Sequence, residues 1–288
     1  MPELPEVETV RRGLAPAMAG AAFTAVTLRR PDLRFPLPAG FAQRLEGAQV
    51  ETLGRRGKYL TAFLSSGETL IMHLGMSGRL SVSFRDRRAR PGDFHFAAPT
   101  DPVHDHVRFE VTGPQGDAAI IYNDPRRFGF MDLVATAALD RSSHFATMGP
   151  EPLGPDFTPD ALAAALQGRS APIKAALLDQ AVVAGLGNIY VCEALFEAGV
   201  SPRRKSSNVS KLASARLHAA IQVTLLRAID AGGSSLRDFA GSDGALGYFQ
   251  HRFKVYDREG EKCPCCSAAV RRIVQSGRST YFCGNCQR

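Results

Sequence analysis

The stretch PELPEVETVRRGLAPAM, residues 2–18, places Val7, Val10, Leu14 and Met18 at helical spacing, with Glu6 and Glu8 in the first turn where the helix dipole favours carboxylates. One face of this helix is apolar and needs a cover. The cover follows in the chain. AFTAVTLRR, AQVETLGRRGKYLTAFL, ETLIMHLG, RLSVSF, HVRFEVT and AAIIYND alternate or run apolar for a few residues and are parted by Gly, Pro and Asp, so residues 20–135 read as antiparallel sheets packed face to face. RDRRARPGDFHFAAPTDP (85–102) has no period and reads as an exposed loop, and the Pro and Gly of GPEPLGPDFTPD (149–160) punctuate a linker. Beyond it the pattern predicts helices over 159–167, 172–180, 187–198, 210–230 and 234–238. The fold class is α+β. An N-terminal helix and β-sandwich domain (1–140) is followed by a linker (141–158), a helical domain (159–250) and a terminal hairpin (251–288).

The chain has 288 residues, 44% of them apolar, and 35 Lys plus Arg against 28 Asp plus Glu leave a net charge of +7. Such a length suggests two domains with a sizeable core and excludes disorder as the default. No apolar run approaches the ~18 residues of a spanning helix, and the N-terminus is acidic where a secretory signal is basic, so a soluble, intracellular protein is expected. The basic balance favours a polyanionic partner. It is concentrated at one end, since His251–Arg288 holds eight Lys or Arg against three acidic residues, and five of the six cysteines.

Those cysteines are spaced Cys263-x2-Cys266, then sixteen residues, then Cys283-x2-Cys286. Four thiolates so arranged close a tetrahedral zinc site; two disulfides are the alternative, disfavoured in a reducing compartment. With four cysteine ligands no position is open to water, so one structural ion is expected and the chemistry lies elsewhere. Cys265 is spare, and Cys192 in IYVCEALFEAG reads as packed. The connection VRRIVQSGRSTYF offers a basic, aromatic clamp for a duplex. VAGLGNIYVCEALFEAGVSP, SPRRKSSN and a second helix make a helix, turn, helix arrangement able to seat phosphates, with Asn188 either a phosphate donor or a helix cap.

Met1 precedes Pro2, whose small size permits initiator removal and leaves a prolyl amine. A terminal amine has a pKa of about 8, so part of it is neutral and nucleophilic at physiological pH and can form an iminium with a sugar carbon. Glu3 and Glu6 lie close enough in sequence to assist. The alternative is a frayed tail ahead of an amphipathic helix.

PELPEVETVRRGL, GRRGKYL, HLGMSG, DPRRFG, GPEPL, GLGNIY, SDGALGYF and the four-cysteine finger stand in the order seen in formamidopyrimidine-DNA glycosylases, and the chain resembles that family along nearly its whole length. The loop at 85–102 is longer than usual, Cys265 is an addition, and Arg169 stands where lysine is common. The resemblance implies a helix-two-turn-helix in the helical domain and excision of oxidised purines, 8-oxoguanine and formamidopyrimidines, with strand cleavage by β,δ-elimination. It implies Pro2 as nucleophile, Glu3 as acid/base, Glu6 as its support, Lys58 at the damaged nucleotide and Arg278 at its phosphate. Met76, Arg126 and Phe128 would fill the gap left by the everted nucleotide, Arg126 facing the orphaned cytosine. Further phosphate contacts implied are His104, Arg169, Lys174 and Asn188, while SDGALGYF would cover the everted base and His73 and His106 would be structural. The expected partner is duplex DNA carrying oxidised purines or abasic sites. The expected protein is a monomer with one Zn(2+), no membrane association and a cytoplasmic place at the nucleoid. Two other readings stay open: an endonuclease VIII-like enzyme for oxidised pyrimidines, and a non-catalytic zinc-finger DNA-binding protein.

Overall fold

A computed structural model of the chain describes residues 2–85, 100–234 and 247–288. Nearly all of the 85–102 loop, the helix expected at 234–238 beyond Ser234, and 242–246 of SDGALGYF lie outside the described residues. The chain divides into two units, Met1–Ala146 with Ala231–Tyr248, and Thr147–Asp230 with Phe249–Arg288.

In the first unit, α1 (Leu4–Met18) starts behind Glu3, whose backbone N–H donates to Glu6 Oε2 at 2.9 Å in a capping box, and Pro5 occupies the first turn where it loses no hydrogen bond. Val7, Val10, Leu14 and Met18 are fully buried, as their spacing requires. Each contributes about 1.5–3 kcal/mol relative to an exposed position. They cover an antiparallel core formed by two four-stranded sheets. One has the order β1 (Ala22–Leu28), β6 (Asp105–Gly113), β7 (Gly116–Asn123), β5 (Arg79–Phe84); the other runs β2 (Val50–Arg56), β3 (Tyr59–Leu64), β4 (Glu68–His73), β8 (Phe130–Ala135). A short α2 (Phe41–Leu45) buries Phe41 and Leu45 in the same core. Neither α2 nor β8 is singled out by the sequence pattern.

The second unit holds α3 (Pro159–Leu166), α4 (Ile173–Leu178), α5 (Asn188–Glu197) and α6 (Lys211–Asp230), within a residue or two of the expected bounds, and the hairpin β9 (Arg271–Gln275) and β10 (Arg278–Phe282). Cys192 and Phe196 of α5 pack on Val255, Val270 and Tyr281. The hairpin, too small for a core of its own, borrows that helix face. Among the described residues no helix is long and apolar enough to cross a membrane.

Candidate active site and nucleic-acid interface

The head of α1 is a sealed polar corner. Pro2, Glu3 and Glu6 are buried. Glu6 Oε2 takes the Glu3 N–H, and Oε1 takes both Ser234 N–H (2.8 Å) and Ser234 Oγ–H (3.0 Å). With both oxygens engaged, Glu6 holds the entry of α1 against residues 233–234. Gly233 makes this approach possible: its φ of +78° is in the left-handed region, and a Cβ there would lie 3.0 Å from Glu6 Oε1.

Lys58 follows the left-handed Gly57 (φ +58°) in the tight turn between β2 and β3, and it is buried. That turn is tied to α1 through Glu8. Arg11 grips the Glu8 carboxylate with two hydrogen bonds of 2.8 and 2.9 Å, Arg12 adds one of 2.9 Å, and Arg55 pairs with it at 3.4 Å while donating to Gly57 O at 3.0 Å. Burial pushes the Glu8 carboxyl up, but the bonds from Arg11 and Arg12 and the charge of Arg55 outweigh it and leave the pKa below the usual carboxylate value.

Met76, Arg126 and Phe128 come from two loops that meet on one groove of about 560 Å³, lined also by Leu33, Arg34 and His73. Met76 is 37% and Phe128 46% exposed, so neither is a core residue. The loops touch backbone to backbone. A Cβ on Gly75 would come within 2.3 Å of Phe128 C, and one on Gly129 within 1.8 Å of Tyr122 Oη, which gives the glycines of HLGMSG and DPRRFG their structural reason. Beneath them Asp124, fully buried, accepts from Ser77 Oγ (2.6 Å), Tyr122 Oη (3.1 Å) and Gly129 N (2.9 Å).

His73, read from sequence as structural, lines this groove. Its Nδ1 accepts from Gly75 N–H at 3.0 Å and its ring stacks on Phe130. Burial, then the charges of Lys58, Arg34 and His144, lower its pKa to about 4. It is a neutral imidazole at physiological pH. His106 is buried with Nε2 on Asp124 O (2.9 Å), and His104 lies half-buried beside it, its carbonyl accepting from Asp124 N–H.

In the second unit two expected phosphate-binding residues converge on the hairpin that carries a third, Arg278. Lys174 is completely buried and donates to Ser279 O (3.0 Å) and Thr280 Oγ1 (2.7 Å); Asn188 Nδ2 donates to the same Ser279 O (2.9 Å). Asn188 does not cap α5. Both residues grip β10 one residue beyond Arg278, which is exposed at the hairpin turn. In this arrangement Lys174 holds the hairpin instead of facing solvent, because a buried ammonium needs acceptors and these are the acceptors at hand. Arg169 stands apart, bonded to Ala165 O (2.9 Å) and paired with Asp179 (3.0 Å). Sequence reasoning passes over Glu193: this buried α5 carboxylate accepts backbone N–H groups from Lys254, Val255 and Tyr256 at 2.8–3.0 Å, fixing the chain that leads into the finger. An acidic residue in the otherwise apolar run IYVCEALF is the signal that could have found it.

Cys263, Cys266, Cys283 and Cys286 place their sulfurs within 4.8 Å of one another, with 3.9 Å between Cys263 and Cys286 and 3.4 Å between Cys266 and Cys283. Disulfides need about 2.05 Å, whereas zinc at about 2.3 Å from each of four sulfurs sets them about 3.8 Å apart. The donor set fits one tetrahedral zinc. Cys265 is exposed and outside the cluster.

Three family models match in series: the formamidopyrimidine-DNA glycosylase N-terminal domain over residues 1–131, the formamidopyrimidine-DNA glycosylase H2TH domain over 148–240, and a zinc finger found in FPG and IleRS over 260–288. The chain belongs to the formamidopyrimidine-DNA glycosylase family. Formamidopyrimidine-DNA glycosylases of Methylobacterium sp. (strain 4-46) and Ruegeria pomeroyi are each 57% identical to it, over 100% of this chain and 99% and 100% of theirs. Among solved structures, the MutM (Fpg) protein of Thermus thermophilus matches with a TM-score of 0.83 at 36% identity, covering 99% of this chain and 98% of that one. Wild-type Lactococcus lactis Fpg in complex with N7-benzyl-Fapy-dG containing DNA matches with 0.85 at 34%, over 100% of both. Membership accounts for the four cysteines as a structural zinc site of the glycosylase family finger.

Proposed function

We infer that this chain is a base-excision DNA glycosylase that removes oxidised purines from duplex DNA and then cleaves the strand as an abasic-site lyase. Full-length membership of the glycosylase family carries the first part of the reading; the buried prolyl head of α1 supports the second. The four stretches 1–140, 141–158, 159–250 and 251–288 divide the work into excision, linkage, DNA seating and clamping.

The Pro2 amine, once Met1 is removed, attacks C1′ of the damaged nucleotide and the C1′–N bond to the base breaks, the base leaving with the proton that the amine gives up; the C1′–O4′ bond then breaks as Glu3 delivers a proton to O4′ and the sugar ring opens. The result is an iminium between the prolyl nitrogen and C1′. This electron sink makes the C2′ hydrogen acidic; its loss expels the 3′ phosphate, and a second elimination expels the 5′ phosphate. No step requires a metal-bound water, in keeping with a zinc whose four positions are filled by cysteine. Glu6 keeps the corner in shape through its bonds to Glu3 and Ser234. Lys58 supplies positive charge at the lesion, and Met76, Arg126 and Phe128 enter the space of the everted nucleotide, Arg126 reading the orphaned cytosine. Arg278 and Asn188 take a phosphate, with Lys174 as the brace of their hairpin. His104 and Arg169 add outer phosphate contacts.

Borohydride trapping tests this directly. On a duplex with one 8-oxoguanine opposite cytosine, a covalent adduct mapped to Pro2 is expected, and Pro2→Gly should abolish it. A processed, zinc-loaded protein that gives no adduct there but traps readily on an oxidised-pyrimidine duplex would overturn the purine assignment. No adduct on either duplex would overturn the lyase.

A further inference from the structure

We propose that Asp124 is the positioning residue that makes the two gap-filling loops act as one wedge, and that through Arg126 it sets how strictly the base opposite the lesion is read. The proposal rests on the base-excision reading above. Its basis is the hydrogen-bond geometry under the groove. Asp124 Oδ1 takes the hydroxyl of Ser77, one residue from Met76; Oδ2 takes Gly129 N–H, one residue from Phe128, together with Tyr122 Oη–H. Ser77 Oγ then accepts from Arg126 N–H at 3.2 Å. The carboxylate therefore bonds directly beside Met76 and Phe128 and reaches Arg126 through Ser77, and the network is shielded from water: Asp124 is 0%, Tyr122 1% and Ser77 6% exposed.

A carboxylate suits this position because every partner is a donor and only an acceptor-only group can take all three without rotating one away. Charge-assisted bonds to backbone N–H are also about twice as strong as neutral ones. The left-handed Arg127 (φ +53°) shows what the latch holds in place, since a non-glycine residue keeps that conformation only when its surroundings fix it. Reading an orphaned base needs donors placed to within about 0.5 Å, which two independently moving loops cannot supply.

Asp124→Asn and Ser77→Ala test the latch at its centre and at one arm. Asparagine can still accept from Gly129 and Tyr122 by its one oxygen but turns an N–H toward Ser77, whose hydroxyl must then accept instead of donate, so the fold is retained while the arm to the Met76 loop is reduced to a neutral bond. Expected is a fall of about tenfold in the ratio of single-turnover excision opposite cytosine to that opposite adenine in Ser77→Ala, which removes both the bond to Asp124 and the acceptor for Arg126 N–H, and a smaller fall in Asp124→Asn. Amide exchange should rise in 75–78 and 126–129 together in both variants. A merely structural role would slow excision opposite both bases alike and leave the ratio unchanged, which would overturn the proposal, as would faster exchange confined to the substituted loop. A wild-type protein that excises nothing would refute the proposed function instead, and the paired exchange of the two loops would still decide the latch.

Discussion

Glu6 and His73 show how far single residues depart from what their type suggests. A glutamate near the proposed prolyl nucleophile invites an acid/base role, yet both Glu6 oxygens are committed to Glu3 and Ser234. Glu6→Gln should therefore act on stability first: one of its two ends would present N–H to a donor, at a cost of about 1–3 kcal/mol. A thermal unfolding midpoint lowered by several degrees, with trapping still mapped to Pro2, is the expected result. His73 makes a pH statement. Its pKa is about 4 in the folded protein against 6.5 unperturbed, so as pH falls the unfolded chain takes up a proton that the folded one refuses. The folded state loses stability across that window, by about 1–2 kcal/mol between about pH 7.5 and about pH 5. His73→Asn keeps an acceptor for Gly75 N–H and should flatten the acid side of the stability profile; an unchanged profile would contradict the assignment. Neither feature can be read from sequence, because one depends on a partner as distant along the chain as Ser234 and the other on burial. Asp124 is hidden for another reason: an Asp before Pro reads as a turn former, and its side chain is silent until Ser77 and Gly129 are brought to it.

At the scale of elements, the hairpin that carries Arg278 is braced from outside. Lys174 and Asn188 share Ser279 O, and Glu193 holds the incoming chain. Lys174→Met should leave zinc content unchanged, since no cysteine is touched, and weaken binding to an abasic-site duplex by about tenfold through misplacement of Arg278. Binding equal to wild type would mean the brace is idle; loss of zinc would mean that it supports the metal site. The elements themselves are largely legible. The apolar spacing of α1 and the alternation of β1 to β7 follow from burial on one face, and the bounds of α3 to α6 follow from apolar spacing and punctuation by Gly and Pro. β8 escapes the pattern because Phe130–Ala135 mixes apolar residues with Asp132 directly after the DPRRFG loop, and only pairing with β4 defines it as a strand. α2 escapes it because so short a helix cannot show a helical period. For the site, motif order points to the residues, while their tasks depend on contacts: Lys174, expected at a phosphate, is sealed against the hairpin by 0% exposure.

On the whole molecule the charge is placed where the metal can govern it. Of a net +7, residues 251–288 hold +5, and the four cysteines that organise this segment bind the one zinc. Each phosphate neutralised on a duplex releases counterions and adds about 0.9 to the slope of log K against log salt. The folded finger presents Arg278 and its neighbours as fixed charges; without the ion the hairpin is left with its packing on Cys192 and Phe196 and the bonds from Lys174 and Asn188, and the knuckles that close its ends lose their tie. Cys283→Ser, or chelation of the metal, should therefore lower both the affinity and the magnitude of the salt slope by about one to two phosphate contacts. Pro2 leads directly into α1, which packs in the other unit's core, so trapping at saturating abasic-site DNA and low salt should persist in the same preparation. A metal-free protein that keeps its full salt slope would show that the finger's charges do not touch the duplex. One that loses trapping even at saturation would show that the ion supports the chemistry as well as the grip.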